Sequence, residues 1–199
     1  MSYSVIAIER EYASGGSEIG RKLGDKLGIP CYGEEILTRA ADKIGLSVRE
    51  LRDLEETMTG SFLYGIHMLS RLSGGENNTL TKAQRLSIAE AEVIREMAYS
   101  PCVIVGRCAP AILKEEEYVL KAFVHTDWEM RKQRAIERYH HEPEQAETML
   151  RRFDRKRSNY FKANAGRDWK DEKNYHLMLD GGKLGIDAVV DILYGAARR

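Results

Sequence analysis

Residues 4–20 read SVIAIEREYASGGSEIG, and the order of its parts decides the fold. SVIAIE (4–9) is a short apolar, β-branched run closed by charge, the pattern of a buried strand. From Ser17 to Leu27, Ile19, Leu23 and Leu27 recur at helical spacing, and Gly28-Ile29-Pro30 ends the helix. Between strand and helix lies Ser14-Gly15-Gly16-Ser17. A strand, a glycine loop and a helix in that order expose backbone N–H groups at the positive end of a helix dipole. Glycine permits positive φ and close approach, so the loop can form a nest for a phosphate. The same small residues also suit an ordinary turn. The string departs from G-x-x-x-x-G-K-[ST], because after Gly15 the lysine position holds Gly16, and Ser17 follows.

Working outward, Ile29 to Tyr32 reads as a brief second strand, and Glu34 to Ile44 as a helix ended by Gly45. CVIVG (102–106) is apolar without alternation, as in a parallel strand covered on both faces. YVLKAFVH (118–125) and YHLMLD (175–180) are two further strands, and Ile186, Val189, Val190 and Leu193 mark a closing helix. Three S/T-x-x-E/Q boxes, Ser47…Glu50, Thr81…Gln84 and Thr126…Glu129, signal helix starts, and SGGENNT (73–79) reads as a polar loop. Strands alternating with helices predict a parallel sheet with right-handed crossovers. The strands are unevenly spaced, with two mainly helical gaps. The economical arrangement is one α/β domain over 1–199 with two helical insertions.

Composition sets the limits on function. Hydrophobic residues make up 43% of the 199, enough for a real core, and the charges balance at 31 basic and 31 acidic. A neutral chain is not a bulk nucleic-acid binder, so phosphate recognition has to be local. The amino-terminal MSYSVIAIERE meets charge too soon for a signal peptide or membrane span, and the expectation is a cytoplasmic protein without a membrane partner. Cys31, Cys102 and Cys108 are too few and scattered for a disulfide frame or zinc site. His140-His141 lies in a charged helical stretch and reads as a solvated face.

Arginine placement carries the remaining signal. Arg107 follows the CVIVG strand, at the carboxyl edge where open α/β sheets bind ligands. Residues 131–157 hold nine Lys/Arg against five Asp/Glu. Arg131, Arg134 and Arg138 share one helix face, and Arg151, Asp154 and Arg157 another. Two solvated charged helices would give the same pattern. The functional reading is a mobile arginine lobe that neutralises a phosphoryl group in transfer.

The string SVIAIEREYASGGSEIGRKLGDKLGIPCYGEEIL (4–37) resembles the opening of the cytidylate kinase-like family, whose first loop has an R-E-Y-x-S-G-G pattern. CVIVGRCAPAIL, KAFVHTDWEMRKQRAIER, DRKRSNYF and YHLMLDGGKLGIDAVVDIL resemble its third strand, lid and last strand–helix unit. The resemblance implies a P-loop NTPase-like three-layer sandwich with a parallel five-stranded sheet. A helical lobe for the nucleoside monophosphate (NMP) would span about 33–98 and a lid about 127–170.

It also implies an activity: moving the γ-phosphoryl group of a nucleoside triphosphate to a nucleoside monophosphate, cytidylate first, with ATP and Mg²⁺. Ser14, Gly15, Gly16, Ser17 and Glu18 would hold the donor phosphates, with Mg²⁺ bridging them through water held by Ser17 or Glu18. Arg131, Arg134 and Arg157 would neutralise the transferring group, and Arg107 and Asp154 would hold the acceptor. Cys108 departs from the family's G-R-D, and Gly16 stands at its lysine. Arg10, Arg21 or Lys22 are candidates to supply the missing cation, Arg10 foremost. A regulator that binds nucleotide or phosphate without turnover remains the alternative, and a kinase for another small acceptor a third.

Overall fold

The computed structural model describes residues 3–47, 50 and 81–198. Its core is a sheet of five parallel strands: β1 (Val5–Arg10), β2 (Cys31–Tyr32), β3 (Cys102–Val105), β4 (Val119–His125) and β5 (Leu177–Asp180). Their order across the sheet is β2-β3-β1-β4-β5. β1 is central, with Val5 beside both Cys102 and Val119. The fold is a three-layer α/β sandwich with an all-parallel sheet, as the alternation of strands and helices predicts.

The layers follow from side-chain alternation on β1. Val5 and Ala7 face α2 (Glu35–Lys43) and α3 (Lys82–Met97), packing with Ile36, Leu86 and Ile94. Ile6 and Ile8 face α1 (Gly16–Leu27) and α8 (Ile186–Ala197), packing with Ile19, Leu23, Val189 and Leu193. Gly20 lets α1 approach β3 closely, since a Cβ there would lie 2.4 Å from Val105 Cγ2. The turn after β3 leads into a short α4 (Ala109–Ile112), and α7 (Gly181–Leu184) precedes α8.

Two further helices, α5 (Trp128–Tyr139) and α6 (Pro143–Ala165), cover the carboxyl edge. Phe161 of α6 joins Phe123, Trp169 and Tyr175 in a separate core. The Phe123 and Trp169 rings meet edge to face at 5.2 Å. Fully burying a ring such as Phe161 contributes about 2–3 kcal/mol, so α6 is anchored at this end.

The boxes at Ser47 and Thr81 form: Glu50 N–H donates to Ser47 Oγ, and Gln84 N–H to Thr81 Oγ1. The third does not. Asp127 is the N-cap of α5 and accepts from Glu129 N–H at 2.9 Å. The Thr126 hydroxyl bonds instead to the carbonyls of His125 and Ser14. The expected polar loop at 73–79 lies outside the described residues.

Candidate functional site

β1 delivers the chain to the carboxyl edge, where Ala13 and Gly15 turn it through positive φ of 59° and 89°. The first bond of α1 runs from Ile19 N–H to Gly15 O at 2.9 Å. Gly15, the N-cap, offers no side-chain acceptor. The N–H groups of Gly16, Ser17 and Glu18 therefore have no intrahelical acceptor. A side chain at Gly15 would be strained by its φ of 89° and would have to push aside Ile186 Cδ1, 2.4 Å from the Cβ. Ser14 stands outside this cradle: its hydroxyl donates to Glu11 O at 2.9 Å, and its carbonyl accepts from Thr126.

The absent lysine has a structural counterpart. A Cβ at residue 16 would lie 2.5 Å from Arg10 Cβ and 2.8 Å from its Cγ. The stem of Arg10 thus crosses the space a side chain at 16 would enter. Its guanidinium lies against Gly106, where a Cβ would overlap Nη1 at 1.8 Å. Lys22 is engaged elsewhere, 2.7 Å from Asp187, and Arg21 is exposed on α1.

Arg10 lines a cavity of about 220 Å³ with Arg107, Lys156 and Arg157, faced by Glu9, Glu34 and Glu90. Gly106, Arg107 and Cys108 all have positive φ, at 81°, 54° and 59°. Two non-glycine residues in that region cost about 1–3 kcal/mol each, so other contacts have to hold the turn. Cys108 N–H donates to Glu9 Oε1 at 3.0 Å, and Arg107 pairs with the buried Glu90 at 3.2 Å. Trp169 Nε1 donates to the other oxygen of Glu9 at 3.2 Å.

The cations in this cavity repel. Burial lowers the Arg10 pKa and Arg107 lowers it further, with Glu9 and Glu34 partly offsetting. Arg157 is pushed down to about 9 by burial and then by Arg10. Among the described residues, Arg10 Nε is buried without a hydrogen-bond partner. A desolvated cation that nearby acids only partly offset is costly, and an anion in the cavity would relieve it.

α5 and α6 reach the same loop. Arg131, expected to neutralise the transferring group from the lid, is only 4% exposed. Its Nη1 lies 2.6 Å from Asp154 Oδ2 and its Nε 3.4 Å from Glu11 Oε2. Asp154 also accepts from Tyr12 N–H at 2.8 Å, and Glu11 from Thr126 N–H and Lys170. Arg134 pairs with Glu18 beside Gly15. Arg157 donates to Arg10 O at 3.1 Å. Arg151 is exposed, with its guanidinium 4.7 Å from the Trp128 ring. The histidine pair also differs from expectation: His140 is exposed, but His141 bonds to the Tyr12 hydroxyl at 2.8 Å. The Tyr12 ring stacks on Phe153 with centroids 4.3 Å apart.

The structure thus brings Arg10, Arg107 and Arg157 to one cavity. Gly15, Gly16, Ser17, Glu18 and Arg134 gather at the start of α1, and Arg131 and Asp154 brace the loop joining the two places. The model of the cytidylate kinase-like family matches residues 5–183. The chain belongs to that family. A solved structure of an uncharacterized protein from Eubacterium ventriosum ATCC 27560 superposes with a TM-score of 0.70 at 24% identity, covering 97% of each chain. That likeness concerns the fold. Shikimate kinase from Acinetobacter baumannii in complex with shikimate gives 0.49 at 14% identity, covering 96% of this chain and 90% of that one. The enzyme from Aquifex aeolicus vf5 gives 0.47 at 16%, covering 96% and 95%. Both superpose too loosely for residue-level comparison. No curated protein matches the chain.

In this member of the kinase-like family, several site residues have no role legible in the sequence. Phe153 and Trp169 join the site only through the fold, whereas Glu9, Glu11, Tyr12, Lys156 and Tyr160 lie in the family-like strings without a role being legible there. Glu90 did leave a signal, as an acid four residues after Leu86 and three before Val93 on the apolar face of α3. Its oxygens take Arg107 and the Tyr160 hydroxyl. Burial raises the Cys108 thiol well above its usual range, which makes it a packing residue rather than a nucleophile. Among the described residues no three His, Cys, Asp or Glu converge on a metal site, and no helix is long and apolar enough to cross a membrane.

Proposed function

We propose that this protein transfers the γ-phosphoryl group of a nucleoside triphosphate to a nucleoside monophosphate, cytidylate first. The observation that carries the reading is Arg10. Its Nε is buried without a hydrogen-bond partner among the described residues, burial depresses its pKa with Glu9 only partly offsetting, and it faces a cavity shared with Arg107 and Arg157. Such a cluster is destabilising until a multiply charged anion enters it.

The donor phosphates would lie on the N–H groups of Gly16, Ser17 and Glu18, with Arg134 beside them. Incoming phosphate would take Arg134 from Glu18. The acceptor's phosphate would lie in the cavity, held by Arg10, Arg107 and Arg157. An acceptor oxygen forms the new bond to the γ-phosphorus as the bond to the β–γ bridging oxygen breaks, and the diphosphate leaves with that electron pair. Arg10 sits at the boundary of the two places, where charge builds during transfer. Segment 33–98 is the proposed monophosphate lobe and 127–170 the proposed lid that excludes water. Arg131 and Asp154, which the sequence suggested for direct phosphate and acceptor contact, are assigned to holding Tyr12 and Glu11 in place.

Mg²⁺ would arrive with the triphosphate. Ser17 is exposed at the start of α1 and offers one hard oxygen, which suits an ion that keeps water and takes its other ligands from phosphates. The ion would neutralise phosphate charge. Gly16 favours a second reading, a regulator that binds without turnover. A phosphotransfer screen over nucleoside monophosphates with ATP and Mg²⁺ separates the two. Diphosphate product, most rapid with cytidylate, supports the kinase; binding without product for every acceptor supports the regulator.

A further inference from the structure

A second concave surface, of about 490 Å³, lies where the ends of α4 and α6 and the turn Glu172–Asn174 meet the start of β4. It shares no lining residue with the first cavity. Four of its side chains are cationic, Lys114, Lys121, Arg167 and Lys173, against one acid, Glu115. In a chain with no net charge this is a local excess, which Glu115 and Glu116 offset only in part near Lys121. Glu115 is taken by Lys114 at 3.2 Å. Arg167 and Lys173 are exposed and have no ion-pair partner among the described residues.

Lys121 argues for more than a solvated charge patch. It is 8% exposed, on strand β4, a position where a lysine is rare without a partner. Its Nζ donates to Lys114 O at 2.5 Å. An ammonium has three donors, and the others meet no acceptor among the described residues. Burial lowers its pKa, and burial together with Lys121 lowers that of His176 on the same wall. Capping the end of α4 accounts for one Lys121 donor. It does not account for Arg167 and Lys173 arriving on two other segments around the same space.

We infer that this cavity is a second anion site, taking a small phosphorylated compound and separate from the proposed catalytic cavity. Cations from several elements around one concavity suit an anion with several charged oxygens better than a lone carboxylate. The phosphate could be free pyrophosphate or the phosphate chain of a nucleotide.

Equilibrium dialysis with radiolabelled pyrophosphate tests the inference on the full chain. The double variant Arg167→Gln/Lys173→Gln changes two exposed side chains and should fold normally. It should weaken binding at this site about tenfold or more, a loss of favourable Coulomb interaction at close range. Arg107→Gln/Arg157→Gln marks binding at the other cavity, so failure of either assignment is seen separately. Pyrophosphate binding that the first pair weakens and the second pair spares supports the inference. Binding that the first pair leaves at the parent value overturns it, and so does equal displacement by sulfate at matched concentration. A nucleoside triphosphate as competitor then identifies the source: stronger displacement than by pyrophosphate assigns a nucleotide, weaker displacement the free anion.

Discussion

Arg131 lies between two carboxylates, with Asp154 2.6 Å from its Nη1 and Glu11 3.4 Å from its Nε. Arg157, on the next helix of the same basic run, donates to the carbonyl of Arg10 and feels the charge of Arg10, with Glu9 and Asp154 only partly offsetting its burial. Both are arginines near the glycine loop, and both are largely withdrawn from water. The first is closed, with an acid within ion-pair distance on two sides, although its Nε, like that of Arg10, makes no hydrogen bond. The second is open, and its depressed pKa records how poorly the resting protein accommodates it. Charge that is satisfied internally holds the fold, and charge left unsatisfied beside a cavity awaits a ligand.

The largest effect should come from Arg131→Ala. Removing one member of a buried ion pair leaves Asp154 without its cation and Glu11 with Lys170 alone, which costs about 3–5 kcal/mol. Chemical denaturation should show the loss directly, and a melt within error of the parent would place Arg131 among the solvated charges after all.

The open side is sharpened by an exchange between Arg10 and Gly16. Arg10→Gly should lower turnover about a hundredfold or more, the scale for removing a donor to developing charge. Gly16→Lys alone should destabilise, because its Cβ would lie 2.5 Å from that of Arg10. Combined, the two changes clear that clash and return a cation to the loop, so the double variant should recover part of the lost turnover. Strict additivity in this double-mutant cycle would show that residues 10 and 16 do not share the space.

A smaller effect is expected at Arg134, which is partly exposed and paired with Glu18. Arg134→Gln should raise the KM for triphosphate several-fold and leave stability nearly unchanged, since a partly exposed pair contributes about 1 kcal/mol or less. The KM difference should shrink as salt is raised. A KM that ignores both substitution and salt would move Arg134 out of the donor site.

How far the sequence discloses this division depends on the range of the contacts. The five strands and the glycine loop are legible because periodicity and turn chemistry are local properties. β1 shows both faces of the sheet in Val5-Ile6-Ala7-Ile8 alone. The basic run at 131–157 is equally visible, but not which arginine is closed and which is open. Arg131 finds its partner Glu11 across more than half the chain, and no local pattern marks that meeting. Thr126 and Asp127 are both good caps, and the choice between them went to Asp127 because Ser14 and Glu11 engage Thr126 from a distant loop. Arg10 was legible as a candidate from its position, whereas its passage over Gly16 to Gly106 depends on the β1–β3 neighbourhood.

The most direct test is the dissociation constant of cytidine monophosphate for the parent and for Arg157→Gln, read beside their melting curves. Binding does not depend on turnover, so the measurement stands whether or not a donor is present. The account predicts a constant raised about tenfold or more with the melting temperature unchanged, because the open arginine serves the ligand rather than the fold. An unchanged constant, or an early melt with normal binding, would contradict it.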